Sequence, residues 1–274
     1  METFPDNIKI IKLKNINSLI LFKDGIVNNP FMSIKRKKHF LNYNNIWKVI
    51  NNNSTIYLCL PNKSKNILQW NTLLKLIFWR INFMRNIANN NKILDVWVFP
   101  SLFKKILPDT KIITIDTINS GMTITNNENI NGTIYIWREE ELLKVLVHEL
   151  VHSFKLDRDD INPIEAYTEA RALIANIYLE LLERNLPLSY FHKLYNYEKQ
   201  FGLEQSKKIN KCINDNTNIY YYINEKSRLL HNMNNIEWDK YLKNKKIKKR
   251  LISPKSLRFT ITDIILQKYP KIFT

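Results

Sequence analysis

The stretch that most constrains this chain is Glu140-Glu141-Leu142-Leu143-Lys144-Val145-Leu146-Val147-His148-Glu149-Leu150-Val151-His152-Ser153-Phe154. It contains no Gly or Pro, it opens with acids that suit a helix N-terminus, and its apolar residues lie on every side of a helical projection. A helix that is apolar all round is a buried one. Two imidazoles and a carboxylate are therefore carried inward, at a cost on the order of several kcal/mol unless they are paired or bound to a metal. Positions i and i+4 share a helix face, so His148 and His152 can aim at one ion. Glu149 stands beside that face, within reach of a water on the same ion. The competing explanation is a pair of buried histidines bonded to carbonyls. The acid between them, at the one position hydrolytic chemistry needs, favours the metal.

A catalytic zinc takes three protein ligands and keeps one position open. The sequence offers two leading candidates for the third ligand, Glu165 and Glu169. They lie one turn apart on one face of the next expected helix, beside the small residues Ala166 and Ala170. One acid can bind the ion while the other accepts a hydrogen bond from a ligand histidine and fixes its tautomer. Asp157 is an outside choice.

The pattern His148-Glu149-x-x-His152 followed by a glutamate on a downstream helix resembles the gluzincins, a group of zinc metalloproteases, over about residues 140–180. The resemblance implies a Zn2+ cofactor, a peptide or protein substrate and Glu149 as general base. It also implies an α+β, zincin-like fold, with a small mixed sheet packed on the motif helix and a mostly helical C-terminal part. In several gluzincins the first acid of an acid-x-x-x-acid pair binds zinc, which makes Glu165 the ligand and Glu169 its neighbour in support. Spacing pulls the other way. Twelve residues separate His152 from Glu165, a short spacer for this group, and sixteen separate it from Glu169. Glu165 also suits a helix cap. The metzincin pattern needs Gly and His where Lys155 and Arg158 stand, so that class is rejected. A looser likeness, through Asn119-Ser120-Gly121, the charged run before the motif and the Glu165–Glu169 segment, is to uncharacterised zincin-like proteins of large DNA viruses.

The rest of the chain sets the frame. Its 274 residues form one large domain or two small ones, expected as a zincin-like catalytic part over 1–185 and a helical, Lys-rich part over 186–274. Hydrophobic content of 45% supports a sizeable core. The net charge of +17 admits nucleic-acid binding without selecting it, because an AT-rich genome gives the same Lys/Asn/Ile bias. Lys35-Arg36-Lys37-Lys38 and the lysines of 241–258 are expected to be solvated faces first and phosphate contacts second. Cys59 and Cys212 form no CxxC, which suits a reducing, intracellular compartment, host cytoplasm or virion if the chain is viral. No signal peptide is expected, and no apolar run is long enough to span a membrane.

In order, the patterns predict strands at 54–60, 93–99, 111–116 and 133–137, and an amphipathic helix over 65–89. Asn119-Ser120-Gly121 is expected as a turn. Asn162-Pro163-Ile164-Glu165 looks like the start of a helix running to about Arg184, and 188–240 is expected to be helical. A sheet edge beside the motif helix would let an extended substrate pair with it, and the strands at 133–137 and 111–116 are both candidates for that edge.

Three functional classes remain open on the sequence: a zinc-dependent peptidase, a catalytically weak zincin-fold binding or virion-associated basic protein, and a protein with a purely structural zinc. The presence of Glu149 favours the first. Tyr167, Arg171, His192, His231 and the tyrosines at 220–222 are all conceivable stabilisers of an oxyanion, and none is selected.

Overall fold

The structure is a computed structural model describing residues 8–13, 25–61, 67–125, 131–157, 164–214, 219–247 and 250–268. In chain order its elements are β1 (Lys9–Lys12), α1 (Ile34–Phe40), β2 (Asn45–Asn51), β3 (Ser54–Leu60), α2 (Asn71–Ala88), β4 (Ile93–Val98), β5 (Ile112–Ile113), α3 (Ile115–Ile118), β6 (Gly121–Thr125), β7 (Asn131–Ile136) and α4 (Leu142–Ser153). Then follow α5 (Ile164–Glu183), α6 (Phe191–Ile209), β8 (Ile213–Asn214), α7 (Ile219–His231), α8 (Asn235–Asn244) and α9 (Thr262–Lys268). The architecture is α+β. The chain divides into two compact units, one of Met1–Phe103 with Asn119–Leu156, the other of Lys104–Ile118 with Asp157–Thr274.

The first unit is built on a six-stranded mixed sheet in the order β1-β2-β3-β4-β7-β6. β3, β4 and β7 run parallel, and the outer pairings are antiparallel. The β3–β4 connection passes through α2, as a parallel pair requires. α2 and the motif helix α4 pack together, and α4 lies on β6 and β7. The opposite face carries a core of Phe40, Ile46, Cys59, Phe99 and Trp137, with Tyr57, Trp97 and Tyr135 in one cross-strand row. Tyr57 and Trp97 stack at 4.1 Å between ring centroids.

Two sequence expectations change here. The strand foreseen at 111–116 stops after Ile113, which pairs with β8 in a separate two-stranded sheet. Thr114 N–H donates to Thr117 Oγ1 and Thr117 Oγ1 donates to Thr114 O, a local turn that diverts the β-branched run into α3. Neither strand proposed as the edge is an edge of the six-stranded sheet: β5 belongs to the separate two-stranded sheet. β7 is interior, and the edge next to α4 is β6, which begins at the Gly121 expected to close a turn.

The chain has only four glycines. Two of them, Gly121 on β6 and Gly132 on β7, lie under α4. A Cβ at Gly132 would sit 2.8 Å from Ser153 Oγ, and one at Gly121 would sit 2.7 Å from Val145 Cγ1. Neither has a positive φ. They serve close approach of helix to sheet rather than turning the chain. The left-handed positions fall instead to residues such as Asn52, Asn89, Asn185 and Asn232.

The second unit is mainly helical, with Leu173, Ile177, Leu194, Phe201 and Ile265 in one core cluster. Its two chain segments are joined where Leu107 N–H donates to Lys255 O at 2.6 Å and Leu257 N–H to Lys105 O at 2.7 Å. Glu198, buried on α6, accepts from the N–H groups of Ile261 and Thr262, both at 2.9 Å, and from the hydroxyls of Thr260 and Thr262. It thereby caps the start of α9. No helix among the described residues is long and apolar enough to cross a membrane.

Candidate metal centre

α4 forms where the apolar pattern places it. Leu142, Val145, Leu146, Val147, Leu150 and Val151 are all buried. The acids at its start do not form its first turn. Glu141 sits just before the helix in a left-handed conformation, φ 60°, and makes no side-chain cap. The backbone turns sharply there because β7 delivers the chain almost directly into the helix, so Glu139 and Glu140 belong to the entry turn.

His148 and His152 stand one turn apart on α4, each half-buried, with Nε2 atoms 3.2 Å apart. Their rings cross at 78°. Two nitrogens each about 2.05 Å from a tetrahedral ion are about 3.3 Å apart, so the pair has the separation that zinc ligation demands. The same distance suits a hydrogen bond between one protonated and one bare ring nitrogen. The donor set, two imidazole nitrogens on one helix face, fits a borderline-soft divalent cation.

Glu149 is buried between α4 and the sheet edge. Thr123 Oγ1 lies 2.7 Å from Glu149 Oε2 and 3.0 Å from Glu149 O. Its single proton serves one of these at a time, and the carboxylate oxygen is the shorter and stronger acceptor. Gly121 leaves the space that Glu149 occupies: a Cβ there would fall 2.5 Å from Oε1. Two residues of β6 thus fix one carboxylate, one by a bond and one by the absence of a side chain. Sequence reasoning missed both. The signal was present in Met122-Thr123-Ile124-Thr125, a strict apolar–polar alternation that reads as a half-buried strand.

The remaining candidates belong to the second unit. Glu165 lies exposed in the first turn of α5, and Glu169 is buried one turn later. Asp157 Oδ2 accepts from Thr168 Oγ1 at 3.5 Å. The Arg171 guanidinium lies 4.6 Å from the Tyr167 ring centroid, a cation–π pair within α5. His192 is exposed, its ring edge-on to Phe191. His231 is not the surface residue its polar neighbourhood suggested. Its Nδ1 is 2.8 Å from Ser227 O, its ring packs on Trp238 and Tyr241, and burial lowers its pKa. The side chains of the tyrosines at 220–222, the Asn162-Pro163 helix start, Arg158, Lys248 and Lys249 lie outside the described residues.

Comparison with protein-family models, curated proteins and solved structures finds no match to this chain.

Proposed function

We propose that the chain is a zinc-dependent peptidase of gluzincin type with a zincin-like fold, in which His148 and His152 hold the ion, Glu149 is the general base and, by the acid-x-x-x-acid pattern of the sequence, Glu165 is the third ligand. The observation that carries it is the Nε2–Nε2 separation of 3.2 Å beside a carboxylate anchored to a sheet edge. Glu165 is preferred to Glu169 because its carboxylate is exposed, whereas Glu169 is buried in α5 and suits the supporting role. A bound zinc ion would supply Lewis acidity, making its water a nucleophile near neutral pH and polarising the scissile carbonyl. The Glu149 carboxylate takes the proton of the attacking water and delivers it to the leaving amine nitrogen. The Thr123 hydroxyl holds Oε2 through both transfers. β6, the outer strand of the sheet, offers its backbone to an extended peptide. The free thiols of Cys59 and Cys212 suit a reducing compartment.

Metal analysis of the full chain, paired with cleavage of a peptide library, tests this. One zinc per chain is expected, lost in His148→Ala, weakened in Glu165→Ala and kept in Glu169→Ala. Glu149→Gln keeps the ion and loses at least about a hundredfold in rate. A wild-type chain without zinc, or zinc retained in His148→Ala and His152→Ala together, would overturn the assignment.

A further inference from the structure

The face built around α1 has no place in the peptidase reading. α1 carries Lys35, Arg36, Lys37 and Lys38 in consecutive positions, capped by Ser33 Oγ accepting from Arg36 N–H. No Asp or Glu occurs anywhere from Gly25 to Leu94, a stretch with eleven Lys and Arg. Apolar side chains also stand exposed around α1. Ile34, in the first turn of this basic helix, is 73% exposed, and Leu102 is 80% exposed. Val27, Phe31 and Phe103 are exposed as well.

These residues are tied into one surface. Lys37 Nζ donates to Val27 O at 2.8 Å, which holds the preceding segment against the helix. The Phe103 ring lies 5.0 Å from the His39 ring and 4.6 Å from the Arg36 guanidinium, which brings Leu102 to the helix from the far side. Exposed apolar side chains on both flanks of the ridge formed by Lys35 and Lys38, in a chain with no carboxylate from 25 to 94, mark a binding face rather than scattered exposure; on the Leu102 side Glu139 N–H donates to Ser101 O at 3.0 Å.

From this surface we infer that the α1 face docks the protein on an anionic lipid bilayer, with Ile34 and Leu102 entering the acyl boundary and Lys35 and Lys38 meeting lipid phosphates. Aliphatic tips select this occupant over single-stranded nucleic acid. Bases need aromatic faces to stack on; Phe103 already faces Arg36, Ile34 and Leu102 have no π-face, and Phe31 alone is too little for a stacking platform. A membrane surface uses both halves of the patch, buried apolar area and attraction of basic residues.

The test is co-sedimentation of the full chain with vesicles of phosphatidylcholine alone and of equimolar phosphatidylcholine and phosphatidylserine. Binding to the anionic vesicles is expected to be at least about tenfold tighter and to weaken with salt. Lys35→Glu with Lys38→Glu should weaken it by about 25-fold, at roughly fivefold per cation. Ile34→Asp with Leu102→Asp should weaken it at least about tenfold at every salt concentration. Leu102→Trp should bind more tightly, a gain that no folding defect can mimic. Absence of binding to anionic vesicles, or an unchanged Asp pair, would overturn the inference. So would a single-stranded RNA that binds as tightly as the vesicles and is lost with the Asp pair.

Discussion

The Thr123 hydroxyl lies 2.7 Å from Glu149 Oε2, across 26 residues of sequence. It holds the carboxylate of the motif against the sheet edge from a direction that no residue of α4 supplies. A charge-assisted hydrogen bond of this kind contributes about 1.5–3 kcal/mol. Thr123→Val keeps the shape and removes the donor, so kcat should fall about 10- to 100-fold with KM nearly unchanged and zinc retained. Thr123→Ser should restore kcat. A Val variant with wild-type kcat would remove Thr123 from any positioning role.

The two glycines under α4 separate packing from chemistry. Gly121→Ala forces a Cβ onto Glu149 Oε1 and Val145, and Gly132→Ala forces one onto Ser153 Oγ. Each should cost about 1–3 kcal/mol of stability, measured by denaturant unfolding. Only Gly121→Ala should also depress activity beyond the loss of folded protein, since only it displaces the carboxylate. Equal losses of specific activity in both variants would show that helix position, not Glu149, is what these sites control.

Much of this region is legible in the sequence and its decisive neighbours are not. The buried helix with His148 and His152 on one face follows from apolar periodicity and i, i+4 geometry, both local properties. That Thr123 meets Glu149 depends on strand pairing, with Thr123 opposite Ile134 on β7, and no local rule encodes that. Gly121 looks like a turn residue because glycine usually supplies a positive φ. In this chain asparagine takes that work, and glycine marks where backbone and side chain must approach. The Ile112-Ile113-Thr114-Ile115 run misleads for a related reason. Its β propensity is real, but among the described residues β8 pairs through Ile213 and Asn214 alone, and threonine side chains close a turn after Ile113.

Removal of metal should be visible in stability as well as in activity. An ion that binds only the folded chain stabilises it by about 2.7 kcal/mol at a hundredfold excess over Kd. Thermal unfolding of the wild-type chain should therefore shift to lower temperature on addition of a chelator and recover with zinc. His148→Ala should melt at one temperature in both conditions. Identical wild-type curves with and without chelator would count against a tightly held ion in the folded chain.

Glu198 makes a prediction in the second unit that owes nothing to zinc. Burial pushes its carboxyl above the usual 4.5, against the pull of the Thr260, Thr262 and Ile261 donors and of Lys226. Between its unfolded and folded pKa values the native state holds the extra proton. Stability is therefore fully present below about 4.5 and is lost as pH rises through the raised value. Glu198→Gln keeps an oxygen for the Ile261 and Thr262 N–H groups and cannot ionise. Its stability relative to wild type should improve steadily as pH rises from 4.5, read by urea unfolding across pH. Glu198→Ala leaves both N–H groups at the start of α9 without their acceptor and should cost about 2–4 kcal/mol near pH 4.5, and less as pH rises. Parallel stability curves for wild type and Glu198→Gln would mean that the hydrogen bonds to Oε1, rather than burial, govern this carboxyl.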